Sequence, residues 1–286
     1  MTQPRPARPR PPASTIIAVA LILILAVVTV VSAVTVLQLP QPITEQAERT
    51  DLLYQPVLAI SLVVFFGVTA GIIWAMLRYR RRGPELPEQI HGSSSLELAW
   101  TIIPILILIP LFVWSFVLIL DLKEQPAAAE ADVVIDVIGH QWFWEFDYAD
   151  EGFKVCPDKA VSSQQPCPPP DYEDLTPPAL VVPVGQTILL RVSSADVVHS
   201  FYAPNTLYKI QAIPGNVNSM HFKVKADKAG VYSGQCYQFC GLRHSDMRFV
   251  LDARELADYE SWLREQRQAQ GVTEPGDLAA ATDGSD

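Results

Sequence analysis

Three uncharged, apolar stretches dominate the first 120 residues of the chain, at residues 14–39, 56–77 and 98–120. Each stretch is long enough to cross a hydrocarbon layer of about 30 Å as a helix, because such a crossing takes about 20 residues. None of them has a polar face for water to solvate, so they fit poorly as helices of a large soluble core. The pattern therefore predicts membrane-spanning helices.

Basic residues flank the first two stretches. Arg5, Arg8 and Arg10 precede the first, and the arginines at 78 and 80–82 follow the second. Since basic flanks stay on the cytoplasmic side, we expect residues 41–122 to form a two-helix hairpin open to the cytoplasm. Residues 1–40 fit either a further membrane helix or a secretory signal peptide, which would be cleaved near the small residue Ala33.

From residue 123 onward the apolar stretches give way to short strands. Segments rich in β-branched residues and bounded by Gly, Pro or Asp lie at residues 132–138, 180–184, 187–192 and 219–224. They predict an antiparallel β-sandwich or barrel over residues 123–268. The fold class is therefore a membrane-anchored all-β protein whose domain lies outside the cytoplasm.

Three other segments of this domain have patterns of their own. Residues 156–178 are dense in Pro, Ser, Gln and acidic residues, which is typical of a surface loop. Residues 253–268 place Leu256, Tyr259, Trp262 and Leu263 at helical spacing and predict a terminal amphipathic helix. Residues 269–286 are expected to form a disordered tail.

The composition agrees with a chain that occupies two solvents. Of the 286 residues, 49% are hydrophobic and 18% are charged, which is too apolar for an ordinary soluble protein of this length. Residues 1–120 carry eight basic and six acidic residues, whereas residues 121–286 carry 13 basic and 25 acidic ones. Binding of nucleic acid needs clustered cations, so we expect no nucleic-acid partner, and we place the chain in the plasma membrane.

Two of the four cysteines lie in the Pro-rich loop. Cys156 and Cys167 have no His or Met nearby in the sequence, which argues against a metal site there. In the oxidising space outside the membrane we expect them to form a disulfide, with two free thiols as the alternative.

The chemistry concentrates in residues 234–247. Cys236, Cys240, His244 and Met247 lie within twelve residues, and His199 could approach from another strand. Thiolate, thioether and imidazole ligands together select copper. A structural zinc site, a disulfide between the two cysteines and a mononuclear copper centre are alternatives. Zinc leaves the Met without a role and mononuclear copper leaves one thiol over, whereas a binuclear copper centre bridged by both thiolates uses every ligand.

The segment resembles the CuA loop of subunit II of the haem–copper cytochrome c oxidases. That family has the pattern Cys-x3-Cys-x3-His-x2-Met with an earlier His before a Ser, here His199 and Ser200. Three further stretches also resemble the family, namely its aromatic region at residues 139–148, a loop at residues 212–215 and the start of its second membrane helix at residues 96–104. The resemblance covers roughly residues 51–263 and implies a cupredoxin-like Greek-key domain.

The resemblance also implies roles for individual residues. Cys236 and Cys240 would bridge two copper ions, and His199, His244, Met247 and the backbone carbonyl of Gln238 would complete the binuclear site. The family usually has Glu at position 238, whose side chain reaches a Mg site, so this sequence departs from the pattern at that contact. Trp142 corresponds to the residue where the electron arrives from cytochrome c, and Glu97 to the entrance of a proton path.

The implied function is that of an oxidoreductase subunit. It would accept single electrons from cytochrome c, or from a c-type cytochrome domain, at CuA. It would pass them to haem in subunit I, which together with CuB reduces oxygen and pumps protons; subunits I and III are the implied partners. The alternative is the CuA subunit of a nitric oxide reductase-like haem–copper enzyme. A quinol oxidase subunit would lack the copper ligands, and the absence of a Cys-x-x-Cys-His motif argues against a fused c-type haem.

Overall fold

The computed structural model describes residues 38–79, 92–162, 165–173 and 175–272, together with Val27, Val31 and Gly83. These residues divide into two compact units. One holds residues 54–107, and the other holds residues 39–53 together with the chain from residue 108 onward. The signal peptide or helix predicted for residues 1–40 and the predicted tail lie almost entirely outside the described residues.

Two long helices contain the second and third apolar stretches. Helix α1 covers Glu45–Arg78 and helix α2 covers Ser94–Lys123, and both are long and apolar enough to cross a membrane. The start of α1 is set by Thr44, whose hydroxyl accepts a hydrogen bond from the backbone N–H of Ala47 at 3.0 Å. Acidic residues in the first turn of α1 and Arg78 in its last turn stabilise the helix, because each charge is opposite in sign to the end of the helix dipole beside it.

The β domain consists of two sheets and a final helix. The elements in chain order are β1 Val133–His140, β2 Phe143–Tyr148, β3 Phe153–Cys156, β4 Lys159–Ser162, β5 Ala179–Pro183, β6 Thr187–Ser194, β7 His199–Tyr202, β8 Ile210–Ala212, β9 Asn218–Lys223, β10 Gly230–Cys236, β11 Arg248–Arg254 and α3 Leu256–Gln270. The first sheet has the order β4-β3-β2-β1-β6-β9 and the second has the order β5-β11-β10-β7-β8. The predicted membrane-anchored β-sandwich is confirmed.

The sheets are mixed, so the expectation of antiparallel pairing alone is wrong. Strands β1 and β6 pair in parallel, and so do β5 and β11. Parallel neighbours need a long connection. The chain supplies one between β1 and β6, because it first forms β2, β3 and β4 and then passes to β5 in the second sheet.

Two local predictions also need correction. Residues 159–162 form strand β4 instead of loop, because Asp158 adopts a left-handed backbone (φ 67°) and turns the chain so that Cys156 pairs with Lys159. The terminal helix begins at Leu256 and not at residue 253, because Ala253 and Arg254 still belong to strand β11 and pair with β5.

Aromatic rings fill the space between the sheets next to residues 237–247. This segment joins β10 to β11 and carries most of the candidate metal ligands, and it is called the metal loop below. Trp144 is fully buried and meets Phe201 and Phe249 edge-on, and those two rings stack with centroids 4.3 Å apart. Gly234 on β10 makes room for this stack, since a Cβ atom there would lie 2.1 Å from the Phe249 ring. At the other end of the sandwich, Trp262 of α3 packs edge-on against the β2 and β3 rings.

The disulfide between Cys156 and Cys167 is confirmed. Both residues are buried, and their Cα atoms are 5.6 Å apart. The bridge ties the end of β3 to the Pro-rich segment, so the start of that segment is held against the first sheet.

Tyr148 links the two sheets by hydrogen bonds. Its hydroxyl donates to the carbonyl of Val181 at 2.8 Å and accepts from the N–H of Val181 at 2.9 Å, and the side chain is fully buried. Burial raises the pKa of Tyr148 well above its usual value, so the group stays protonated. We expect Tyr148→Phe to lower the free energy of unfolding by about 2 kcal/mol, because two buried backbone groups lose their partner.

Urea unfolding of the full-length chain in detergent would measure this loss. Tyr232→Phe is the matched control, because that hydroxyl donates only to the Lys228 carbonyl in a less buried position. The control should cost about 1 kcal/mol or less. Equal losses in the two variants would contradict the role given to Tyr148.

Candidate metal centre

The sulfur and imidazole ligands converge at one end of the second sheet. Cys236 ends strand β10, and Cys240, His244 and Met247 lie in the loop that leads to β11. His199 begins strand β7, which pairs with β10 so that Cys236 faces Phe201. Strand pairing therefore brings His199 beside Cys236, 37 residues further along the chain, as a shared metal site requires.

The distances among these atoms are short. The two sulfur atoms of Cys236 and Cys240 are 4.0 Å apart. Nδ1 of His199 lies 3.9 Å from the Cys236 sulfur, and Nδ1 of His244 lies 3.5 Å from the Cys240 sulfur. Sδ of Met247 is 3.9 Å from the Cys240 sulfur, and the Gln238 carbonyl oxygen is 3.2 Å from the Cys236 sulfur. All six expected ligands thus lie together around the pair of sulfurs.

The geometry excludes a disulfide between Cys236 and Cys240 and fits a metal site. Cys236 and Cys240 are both free and buried, and their sulfur separation is about twice a disulfide bond length. Two sulfurs that bind the same ion, each at about 2.3 Å, can lie up to about 4.6 Å apart. His199, Cys236 and Cys240 place their ligand atoms within 4.8 Å of one another, and all three are buried. They form a group that could hold a metal ion.

The electrostatics of the two thiols point to a bound cation. Burial raises the pKa of Cys236, but the His199 imidazole and the backbone around it outweigh burial, so the pKa lies below its ordinary value. Burial and the nearby Cys236 thiolate raise the pKa of Cys240 to about 12. With this pKa, Cys240 stays protonated at neutral pH unless a cation lies beside it. A coordinated metal ion removes this conflict, because it deprotonates the thiols that bind it.

Asp196 holds the first imidazole in place. Its carboxylate accepts a hydrogen bond from Nε2 of His199 at 2.8 Å, which leaves Nδ1 facing the Cys236 sulfur. The same carboxylate accepts the N–H of Gln141 at 2.6 Å. Such a carboxylate sets the tautomer and the direction of a metal-binding His. The sequence alone did not reveal this role for Asp196, although its position three residues before His199 was visible.

Gly139 is a second residue whose role only the structure reveals. A Cβ atom at this position would lie 2.8 Å from Cδ2 of His199. The buried imidazole therefore occupies space that any other residue at position 139 would take.

The two tryptophans of the aromatic region have different surroundings. Trp142 lies in the turn between β1 and β2, is half-buried, and donates from Nε1 to the carbonyl of Cys240 at 3.2 Å. The side chain of Gln141 donates to the same carbonyl at 2.7 Å. Trp144 is a core residue that meets the His199 ring edge-on. Of the two, only Trp142 therefore combines surface exposure with a bond to the metal loop.

Glu97 lies elsewhere in the chain. It is exposed in the first turn of α2, in the unit that holds residues 54–107. The carbonyl of Glu97 accepts a hydrogen bond from the hydroxyl of Thr101 at 2.9 Å, as is common inside apolar helices.

The fold and the site together define a class. It is that of the membrane-anchored cupredoxin-like proteins with a cluster of sulfur and imidazole metal ligands at one end of the sandwich. Two family models match the chain: "Cytochrome C oxidase subunit II, periplasmic domain" over residues 133–254 and "Cytochrome C oxidase subunit II, transmembrane domain" over residues 32–118. The chain belongs to the cytochrome c oxidase subunit II family. It is anchored in the membrane, with its β domain outside the cytoplasm.

Two relatives found by sequence agree with this assignment. Cytochrome c oxidase subunit 2 of Cereibacter sphaeroides is 30% identical over an alignment of 228 positions that covers 74% of this chain and 74% of that relative. The subunit of Alkalihalophilus pseudofirmus is 33% identical over 227 residues, which cover 77% of this chain and 58% of that relative. The crystal structure of the periplasmic domain of subunit II from Bradyrhizobium japonicum is 32% identical and covers 49% of this chain and 96% of its own, with a TM-score of 0.40.

The contact between Asp196 and His199 can be tested by metal binding. We expect Asp196→Ala to lower the copper affinity of the full-length chain by about 10- to 100-fold, because His199 loses the partner that fixes its tautomer. Competition with a chelator of known affinity would measure the change. Asp150→Ala removes an exposed carboxylate outside the site and serves as the control. Equal affinities in the two variants would show that His199 needs no such partner.

Proposed function

We propose that this chain is the electron-accepting subunit of a respiratory cytochrome c oxidase and that its metal group holds a binuclear copper centre. The observation that carries the proposal is the pair of buried thiols 4.0 Å apart, with an imidazole beside each sulfur. Zinc would satisfy the thiols and imidazoles but would leave the buried Met247 without a role. Thiolate, imidazole and thioether ligands together favour copper.

In this proposal the six ligands divide between two copper ions. Cys236 and Cys240 would hold both ions through their sulfurs, and His199 and His244 would each hold one ion. Met247 and the Gln238 carbonyl would complete the set. Support comes from their placement, since each lies within 4.0 Å of one of the bridging sulfurs. When bound, such a centre supplies a carrier for single electrons.

The protein itself contributes a rigid and dry environment. Cys236, Cys240, His199 and Met247 are each at most 5% exposed, so water has little access to these four residues, whereas His244 is half-buried and Gln238 is exposed. Strand β10 fixes Cys236, and the N–H of Cys236 donates to the Met247 carbonyl at 2.9 Å, which closes the loop at its base. Ligands held in this way need little rearrangement when the charge of the centre changes.

Trp142 is the proposed point where the electron arrives. Its indole is partly exposed and reaches the carbonyl of Cys240 through a single hydrogen bond, so the path from the surface to a bridging ligand is short. The proposed electron source is cytochrome c or a c-type cytochrome domain, and the proposed acceptor is haem in subunit I, where CuB and oxygen reduction also belong. Subunits I and III are the proposed partners in the membrane.

Exposed acidic residues near Trp142 would steer a basic cytochrome c toward it. Asp171 and Glu173, which flank Tyr172, are exposed and suited to this role, whereas the exposed Asp150 lies beyond the opposite end of β2. Other acidic side chains of the β domain are engaged within the chain, because Asp147, Glu151 and Asp196 face Lys154, Arg267 and His199, respectively.

Glu97 is proposed as a contact at the entrance of a proton path into subunit I, coupled to proton pumping. What supports it is a carboxylate exposed at the start of an apolar helix, which has a cost in lipid and favours a protein or water neighbour.

The test of the proposal is the electronic state of the copper. Wild-type chain should bind two copper ions that share one unpaired electron, with a seven-line hyperfine pattern in its EPR spectrum. Cys236→Ser or Cys240→Ser should abolish this state, because a hydroxyl is too hard a ligand to replace a bridging thiolate. Met247→Leu should change the spectrum more than the copper content. Gln238→Ala should be mildest, because every residue retains the backbone carbonyl.

The alternatives give different results in the same experiment. A zinc site would be unaffected by Met247→Leu. One copper ion per chain with a four-line spectrum would reject the binuclear centre in favour of a mononuclear one.

The role of Trp142 can be separated from copper binding. Trp142→Ala should leave the copper spectrum nearly unchanged, since the indole is not a ligand, but should slow reduction of the centre by cytochrome c. Stopped-flow measurement of copper reduction in the assembled oxidase gives the rate. Trp262→Phe is a control that changes a tryptophan at the far end of the sandwich. Unaltered reduction in Trp142→Ala would return this residue to a packing role.

A further inference from the structure

In the Pro-rich segment after the disulfide, Tyr172 contacts both Trp142 and Arg243 of the loop that carries the proposed ligands. Tyr172 is half-buried between the β1–β2 turn and the metal loop. We propose that Tyr172 is a positioning residue for electron uptake, because it holds Trp142 against the Cys240 carbonyl. This inference rests on the proposed function of Trp142.

The hydroxyl of Tyr172 fixes the backbone from which the indole projects. It accepts the N–H of Trp142 at 3.2 Å and donates to the carbonyl of Gln141 at 3.0 Å. The Tyr172 ring also meets the Trp142 indole edge-on, with centroids 6.1 Å apart. Both polar groups of the Gln141–Trp142 peptide therefore have the same partner, which holds the tip of the turn from outside.

Arg243 attaches Tyr172 to the metal loop. Its Nη1 donates to the Tyr172 carbonyl at 2.8 Å, and its guanidinium carbon lies 5.0 Å from the centre of the Tyr172 ring, within the range of a cation–π contact. Arg243 directly precedes His244. These contacts form a closed ring of interactions. Trp142 binds Cys240, the loop leads from Cys240 to Arg243, and Arg243 binds Tyr172, which in turn binds Trp142.

The segment that carries Tyr172 is stiff. Cys167 is tied to Cys156 at the end of β3, and prolines occupy positions 168–170. Proline fixes φ, so few conformations compete with the observed one, and little entropy is lost when the segment packs on the turn. Electron-transfer rates fall steeply as the path lengthens. A residue that keeps the indole bonded to Cys240 therefore acts on the rate without being a ligand.

Hydrogen exchange tests the contact independently of copper. Tyr172→Phe keeps the ring over Arg243 and removes only the hydroxyl. In the copper-free, full-length chain it should speed exchange of the Trp142 amide by about tenfold, measured by mass spectrometry, because that N–H loses its acceptor. Tyr232→Phe, the same change at the far end of β10, should leave this amide unaffected. Unchanged exchange in Tyr172→Phe would overturn the proposed contact.

Kinetics of the copper-loaded oxidase test the role. Tyr172→Phe should slow reduction by cytochrome c about three- to tenfold. It should not change the copper spectrum or reduction by a small ruthenium(II) ammine complex, which needs no fixed docking site. In a Trp142→Ala background the same change should add less than about twofold, because a positioning residue has nothing left to position.

The outcomes separate this inference from the proposed function. Equal slowing by Tyr172→Phe in both backgrounds would reject action through Trp142. Normal uptake in Tyr172→Phe, with slow uptake in Trp142→Ala, would reject the Tyr172 proposal alone. Normal uptake in Trp142→Ala would reject the proposed role of Trp142 in electron entry and the kinetic role of Tyr172 with it.

Discussion

The two buried thiols of Cys236 and Cys240 impose the constraint on which the rest of the site depends. Their sulfurs are 4.0 Å apart in a region with little water, so both cannot be negatively charged without a cation between them. Burial and this repulsion raise the pKa of Cys240 to about 12, whereas the His199 imidazole and nearby backbone lower the pKa of Cys236. The β10 backbone and the short loop hold the sulfurs at this separation, and the metal-binding group follows from it.

The carbonyl of Cys240 joins this site to the protein surface. It accepts hydrogen bonds from the side chains of Gln141 and Trp142, so the β1–β2 turn of the first sheet is attached to the metal loop of the second. Asp196 reinforces the junction, because one carboxylate binds both His199 and the Gln141 backbone. The interior of the sandwich, with its stacked Phe201 and Phe249 rings, supports the same end of the domain.

The composition of the chain reflects its two surroundings, lipid and water, more directly than it reflects the fold. The helices α1 and α2 expose aliphatic and aromatic side chains along their length, as lipid requires, while the β domain holds an excess of acidic residues. Several of those acidic residues are not surface charges available to a partner. Asp136 binds Arg191 through both oxygens, and Glu145 is buried between Lys154 and His140. The number of acidic residues alone therefore overstates the acidity of any docking surface.

The sequence by itself determined the features that depend on neighbouring residues. These include the apolar stretches, the strands around residues 133–140 and 187–194, the helical spacing of Tyr259 and Trp262 in the terminal helix, and the spacing of the two thiols, the imidazole and the thioether on one loop. Only the tertiary structure decided which strands are parallel, that His199 reaches Cys236 through the pairing of β7 with β10, and that Tyr172 meets the β1–β2 turn. The physical reason is that such contacts depend on strand order and register over tens of residues, which local hydrophobic periodicity does not encode.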